Sequence, residues 1–219
     1  MNKMLSRYSI FPCERKEIRG FIENWHYSGS INGVKDSYCF KLMENKFVGG
    51  FRNTRIIGAA LFGRLAMANA FSQYVENEDK IIELRRLCCI DDTPKNTESY
   101  FISRCLRWLK KNTDLECVVS YADENYDHVG GIYKATNFDY RGNTQPSKMI
   151  EFDGKLWHDK TIRTKYNGKL KPYARKLKNA LDEGAAKYVD TKFKHIFTYN
   201  LDERRKTSVN SITKRMDEK

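Results

Sequence analysis

The residues whose types and spacing could do chemistry crowd between Val118 and Tyr140, VVSYADENYDHVGGIYKATNFDY. A polar cluster (Ser120, Tyr121, Asp123, Asp127, His128) follows directly on the apolar run Cys117-Val118-Val119, which reads as a buried strand. Gly130-Gly131 permit close backbone approach, and Ile132, Tyr133, Ala135 and Phe138 then recur at roughly helical spacing. Strand, polar turn and helix in that order place titratable groups at the carboxyl end of a strand. Open α/β sheets hold their ligands there.

Two further stretches carry charge into apolar surroundings. IIELRRLCCI, Ile81 to Ile90, alternates as a strand, with Leu84, Arg86 and Cys88 on one face and Arg85, Leu87 and Cys89 on the other. An arginine on each face is costly unless it meets an anion or a carboxylate, so each is either a structural ion pair or part of a site. The polar loop DDTPKNTES then leads into YFISRCLRWLKK, whose Phe101, Cys105, Trp108 and Leu109 share a helical face. Asn96 or Thr97 could cap this helix, and Lys95 stands just before it. Its free N–H groups suit a phosphate, although an ordinary capped helix reads the same way.

Elements must bring these pieces together. CERKEIRGFIENW places Ile18, Phe21, Ile22 and Trp25 on one helical face and stops at His26-Tyr27-Ser28-Gly29. SYCFKL and Lys46 to Val48 read as short strands, and RIIGAALFG as a central one whose glycines mark a bulge. After Tyr140 come a turn, a hairpin around MIEFDGKLW, a helix from Pro172 to Tyr188 and a last strand from Lys194.

A chain of 219 residues with 40 Lys+Arg against 28 Asp+Glu, net +12, fits one large domain and a polyanionic partner, nucleic acid before membrane surface. From Lys155 to Lys219 there are 18 Lys and Arg against 8 Asp and Glu, so the basic charge sits at the back of the chain. Six cysteines include no C-x-x-C pair, and several lie in apolar runs. Reduced thiols in a cytoplasmic compartment are expected, with no signal peptide, no membrane span and no disulfide scaffold.

Helix, three strands, a long strand, a helix, then strand–turn–helix–strand is the element order of the GNAT acyltransferase fold, and GIYKATNFDY resembles its closing motif. Taken together, HYSG, ELRRL, PKNTES before a helix, SYAD and HVGGIYKATNF resemble the Mom family of bacteriophage DNA-modification proteins. The resemblance spans roughly residues 20–145 and thins beyond 155. It implies an α/β (α+β) mixed sheet, mostly antiparallel and flanked by helices. Residues 1–154 would form the catalytic core, and residues 155–219 a basic part completing the fold and contacting DNA. The implied activity converts adenine N6 in DNA to a carbamoylmethyl (acetamido-type) derivative, shielding phage DNA from restriction in the host cytoplasm. A generic N-acetyltransferase acting on a small amine or protein lysine, and a non-catalytic DNA-binding protein, are the alternatives.

An adenine amine is a poor nucleophile and needs a base, charge stabilisation and an acid. Asp123 and His26 are the candidate bases, and Ser120 and Tyr121 would position the substrate. The resemblance gives Tyr133 the part of the acid, Arg86 the anion and Tyr27 a place in the HYSG motif. It also implies an acyl-CoA or related donor. The usual glycine-rich pyrophosphate loop is replaced by TPKNTES, so such a donor would rest on Lys95, Asn96, Thr97 and Ser99. A second grouping, His26, Asp123 and His128, has the composition of a facial triad for iron, a metal associated with the family. Double-stranded DNA would dock on Lys169, Lys171, Arg175, Lys176, Lys178, Arg204 and Arg205, its target adenine leaving the stack to be reached. A homodimer is left open.

Overall fold

The computed structural model describes residues 7–35, 38–48 and 51–202. In chain order the first half runs β1 (Tyr8–Cys13), α1 (Arg15–Trp25), β2 (Tyr38–Val48), β3 (Phe51–Gly63), β4 (Ile81–Cys89), α2 (Thr97–Asn112) and β5 (Cys117–Asp123). The second half runs α3 (Gly131–Lys134), β6 (Asp139–Asn143), β7 (Lys148–Phe152), β8 (Lys155–His158), β9 (Lys165–Tyr166), β10 (Lys169–Leu170), α4 (Pro172–Asp182), β11 (Lys187–Asp190) and β12 (Lys194–Asn200). Seven strands form one mixed sheet in the order β1-β2-β3-β4-β5-β12-β6.

The chain divides into two compact units. The first comprises residues up to Tyr121, Gly130–Arg141 and the chain from Ile196 onward; the second comprises Ala122–Val129 and Gly142–His195. The expected boundary after residue 154 instead falls inside the β7–β8 hairpin, where Phe152 pairs with Lys155. Antiparallel pairing holds both strands of that hairpin in one unit.

In the first unit, Glu17 reaches back to the Glu14 amide (2.8 Å) and starts α1, the N-terminal device of a capping box. Ile18 and Ile22 are fully buried with Ile31, Val34, Ala59 and Leu61, each isoleucine contributing about 1.5–3 kcal/mol. Trp25, expected on that face, is instead exposed at the helix end. Helix α2 buries Phe101, Ile102, Cys105 and Leu109, and Trp108 meets Phe40 edge-on at 5.3 Å.

Two features of β4 matter for the site. Its register against β3 slips between Leu61 and Phe62, which face Arg86 and Leu84, so Arg85 is the extra residue of a bulge. Directly opposed residues share a face. Arg86 and Cys88 therefore lie with Leu61 and Ala59 on the α1 side, whereas Leu84 joins Phe62 on the other. The expected grouping of Leu84 with Arg86 is broken by that one residue. On its other edge β4 runs parallel to β5, and their pairing extends only from Ile81–Cys117 to Glu83–Val119.

The second unit holds a three-stranded sheet, β11-β7-β8, and the short β9–β10 hairpin. Pro172 opens α4, and Ala174, Leu177 and Ala180 form its buried stripe. Ile150, Phe152 and Trp157 supply the facing surface. The helix stops at Asp182, six residues before the expected end, because Gly184 adopts φ 74. The residues beyond, Lys187–Asp190, pair with β7.

Candidate active site

Where β4 and β5 part, Ser120 Oγ reaches the Leu84 carbonyl (3.4 Å) and hydrogen-bonds the phenol of Tyr133. Tyr133 sits on α3, a single helical turn, with ring contacts to Phe138 (5.4 Å) and Phe197 (5.1 Å). Burial pushes its phenol up to about 12, outweighing the opposite pull of Ser120. At neutral pH it is a proton donor, and the aromatic wall fixes its direction.

The second group was missed by sequence reasoning. Glu83 is buried, and its Oε2 accepts the Ala66 amide (2.8 Å) and Arg85 Nη1 (3.2 Å). It lies within electrostatic reach of Tyr74, Tyr121 and Tyr133. Burial raises the phenols of Tyr121 and Tyr74, which hydrogen-bond one another. The signal in the sequence was the carboxylate of ELRRL itself, lodged in an apolar strand beside two arginines. The bulge turns Arg85 toward that carboxylate.

Arg86 answers a different need. Its Nε donates to the Ser30 carbonyl (2.9 Å) and its Nη1 to the Arg85 carbonyl (2.7 Å), so it pins the loop after α1. Burial lowers its pKa, with Arg85 adding to the effect. On that loop the ring of His26 lies 4.2 Å from that of Tyr27, and His26 Nδ1 accepts the Ser28 amide (3.1 Å). His26 is buried, whereas Tyr27 stands about half exposed.

In the second unit Asp123 is occupied structurally. Its Oδ2 meets Lys194 Nζ (2.5 Å), and its Oδ1 accepts both the backbone amide (3.0 Å) and side-chain amide (2.7 Å) of Asn125. Burial would raise this carboxyl, but Lys194 and Asn125 together hold it below its ordinary value. Glu124 and His195 pair alongside (2.7 Å), tying the turn after β5 to the start of β12. A depressed carboxylate stabilises the fold above its ordinary pKa of 3.8 and loses that contribution as pH falls through the lower folded value. Chemical denaturation at pH 5 and pH 3 should therefore show a smaller loss of stability for Asp123→Asn than for the parent. An equal loss would refute the assignment.

The iron grouping finds no support. Among the described residues no three His, Cys, Asp or Glu side chains group to hold a metal ion. The physical reason is that the donors are spent: His26 Nδ1 on Ser28, Asp123 on Lys194 and Asn125, while His128 is exposed beside Tyr126. Thiol chemistry is also disfavoured, since burial pushes Cys13 and Cys88 up to about 12 and raises Cys89 and Cys105 as well.

Beside α2 lies a cleft of about 390 Å³ whose lining includes Asp91, Lys95, Asn96, Glu98, Ser99 and Gly131. Asn96 takes the N-cap position in a left-handed conformation, and its side chain does not cap the helix. Thr97 is buried and donates to the Pro94 carbonyl (2.7 Å), so it turns away from the cleft. Ser99 donates to the Asn96 carbonyl (3.0 Å). Lys95 and the first-turn amides beyond Thr97, whose own amide bonds the Pro94 carbonyl, favour a phosphate group, while Asp91 and Glu98 in the same cleft oppose it. A second cleft of about 680 Å³ shares Asn96, Ser99 and Ala135 and adds Arg107 and Lys110.

Of the expected DNA contacts, Lys169, Arg175, Lys176 and Lys178 are exposed and Lys171 is half-buried over Tyr173. Lys176 also pairs with Asp153 (3.8 Å), while Arg204 and Arg205 lie outside the described residues. No helix among the described residues is long and apolar enough to cross a membrane.

The chain is 31% identical over 147 residues to the methylcarbamoylase Mom of Escherichia phage Mu, an alignment covering 66% of this chain and 57% of that protein. It thus spans under two thirds of that relative's length. Among solved structures it resembles Arabidopsis thaliana NAA60 in complex with acetyl-CoA, with TM-score 0.52, 10% identity, and 88% and 98% of the two chains covered. The same enzyme with a bisubstrate analogue gives TM-score 0.51 at 10% identity, over 88% and 97% of the chains. At such identity the likeness concerns the fold, which is that of the GNAT acetyltransferases. Since residues 7–215 match the Mom protein family, the chain belongs to that family.

Proposed function

We propose that this protein modifies the exocyclic N6 amine of adenine in double-stranded DNA, adding a carbamoylmethyl-type group as a phage defence against restriction. The observation that carries the reading is the Ser120–Tyr133 hydroxyl pair at the parting of β4 and β5, in a member of the Mom family. The name of the phage Mu relative, a methylcarbamoylase, supports the group transferred.

The geometry supports the following roles. Glu83, oriented by Ala66 and Arg85, takes the proton from the attacking amine. Arg85 balances the charge that develops, and Tyr121 and Ser120 position the purine. Tyr133 gives its proton to the departing group. Tyr27 offers an aromatic face for the base. His26 and Arg86 hold the loop that carries Tyr27, and Asp123 holds the turn after β5. An acyl-CoA or related donor, the kind of ligand seen with NAA60, fits the cleft at Lys95, Asn96, Ser99 and the first turn of α2. An acyl-CoA held there would supply an acyl group on a thiol leaving group and so give an N6-acyl product, whereas a carbamoylmethyl product needs a related donor whose methylene carbon is attacked by N6 while the group on that carbon departs. Lys169, Lys171, Arg175, Lys176 and Lys178 contact DNA phosphates, with Arg204 and Arg205 beyond them. Neutralising about six phosphates gives a salt slope on the order of −5.

Mass spectrometry of nucleosides from cells expressing the protein tests this. The expected result is an added mass on deoxyadenosine, reduced on the order of 100-fold by Glu83→Gln. Unmodified deoxyadenosine with an acetylated small amine or lysine would instead establish a generic N-acetyltransferase. Salt-sensitive DNA binding without any modified nucleoside would leave a non-catalytic binding protein.

A further inference from the structure

Apart from the place of Lys169 among the phosphate contacts, the β9–β10 hairpin has no part in the proposed chemistry, yet its construction is specific. Two residues per strand are paired, Tyr166 opposite Lys169 and Lys165 opposite Leu170. Asn167 (φ 47) and Gly168 (φ 76) make the connecting turn, both left-handed, as a tight two-residue hairpin demands. The Lys171 amide donates to the Thr164 carbonyl (3.0 Å) and closes the base.

What the tip presents is unusual for a surface. Tyr166 is 70% exposed, more than any other large hydrophobic or aromatic side chain among the described residues. It shares a face with Lys169, because directly opposed residues point the same way, and Lys165 stands on the other face. Both lysines are exposed, and neither has a carboxylate at ion-pair distance among the described residues. Immediately after the hairpin come Lys171 and Arg175 on α4. A planar ring beside unpaired cations on a tight hairpin matches a partner made of stacked bases edged by phosphates.

Resting on the reading of DNA as substrate, we propose that this hairpin is the element that enters the base stack. Tyr166 stacks on bases of the opened duplex, and Lys165 and Lys169 hold the phosphates on either side. Extruding a base leaves a gap, and an aromatic side chain that fills it offsets the lost stacking.

The test compares binding of a labelled fully paired duplex with the same duplex carrying one abasic site, where the gap is already present. The wild-type protein should bind the abasic duplex more tightly by on the order of tenfold, and Tyr166→Ala should abolish that preference while Tyr166→Phe keeps it. Lys165→Ala with Lys169→Ala should weaken both duplexes alike and reduce the salt slope by about 2. Tyr166→Ala retaining the preference, or its absence in the wild type, would overturn the proposal. The nucleoside spectrum judges the enzyme reading separately. If deoxyadenosine stays unmodified while the Tyr166-dependent preference persists, the hairpin proposal stands and the catalytic one falls.

Discussion

Tyr133→Phe should fold normally and lose on the order of 10²- to 10⁴-fold of the proposed adenine-modifying activity. Only one oxygen is removed. The ring remains against Phe138 and Phe197, so packing survives, and Ser120 keeps the Leu84 carbonyl as its partner, so the lost hydroxyl pair costs about 1 kcal/mol. The activity loss is expected to be far larger because burial holds the phenol at about 12. A group with that pKa is protonated across the neutral range and cannot serve as the resting base. In the proposed mechanism it is the acid, and its removal would leave the departing group without a directed proton. The sign for pH is then set: the Tyr133 proton is retained as pH rises until about 12, so it imposes no decline near neutrality. Modified deoxyadenosine at matched protein level, with thermal unfolding of both proteins, checks this. Full activity in the phenylalanine variant would remove Tyr133 from the mechanism.

Gly130→Ala carries the largest expected effect on stability. Gly130 has φ 75, and a Cβ there would stand 2.2 Å from Cε2 of Phe197. A left-handed alanine costs about 1–2 kcal/mol, and an overlap with a fully buried ring adds about 1–3 kcal/mol. For a chain of this length the melting temperature should fall on the order of 10 °C. Gly131→Ala is the control, since its added Cβ meets nothing within 4 Å, and it should change stability by less than about 1 kcal/mol. Equal melting temperatures for the two variants would refute the close approach.

Much of this was legible in the sequence because local pattern and tertiary need agree. Gly130-Gly131 announce a close approach, and Phe197 is what approaches Gly130. The amphipathic faces of α1 and α2 were readable from Ile18, Ile22, Phe101, Cys105 and Leu109, since burial obeys the helical period. The motifs pointed to the right family. What escaped depended on contacts distant in sequence. The bulge at Arg85 is a register event between strands, invisible to an alternation pattern read along one strand. Glu83 acquires its neighbours Ala66 and Arg85 only through that folding, so it read as part of a motif rather than as a site. Asp123 failed as a free carboxylate because Lys194, 71 residues away, claims it. β11 was absorbed into the preceding helix because LDEGAAKYVD keeps helical residues on both sides of Gly184, whose backbone ends it.

The chain leaves the seven-stranded sheet at the end of β6 and returns to it at the start of β12, its immediate neighbour. At that doorway Thr144 and Lys194 clasp one another, amide to carbonyl (2.9 Å) and amide to hydroxyl (2.9 Å). Everything between is thus a long excursion with its two ends fastened side by side, and lengthening or replacing it adds little closure entropy. One excursion can therefore be exchanged for another while the hydrogen-bond ladder of the seven-stranded sheet stays intact.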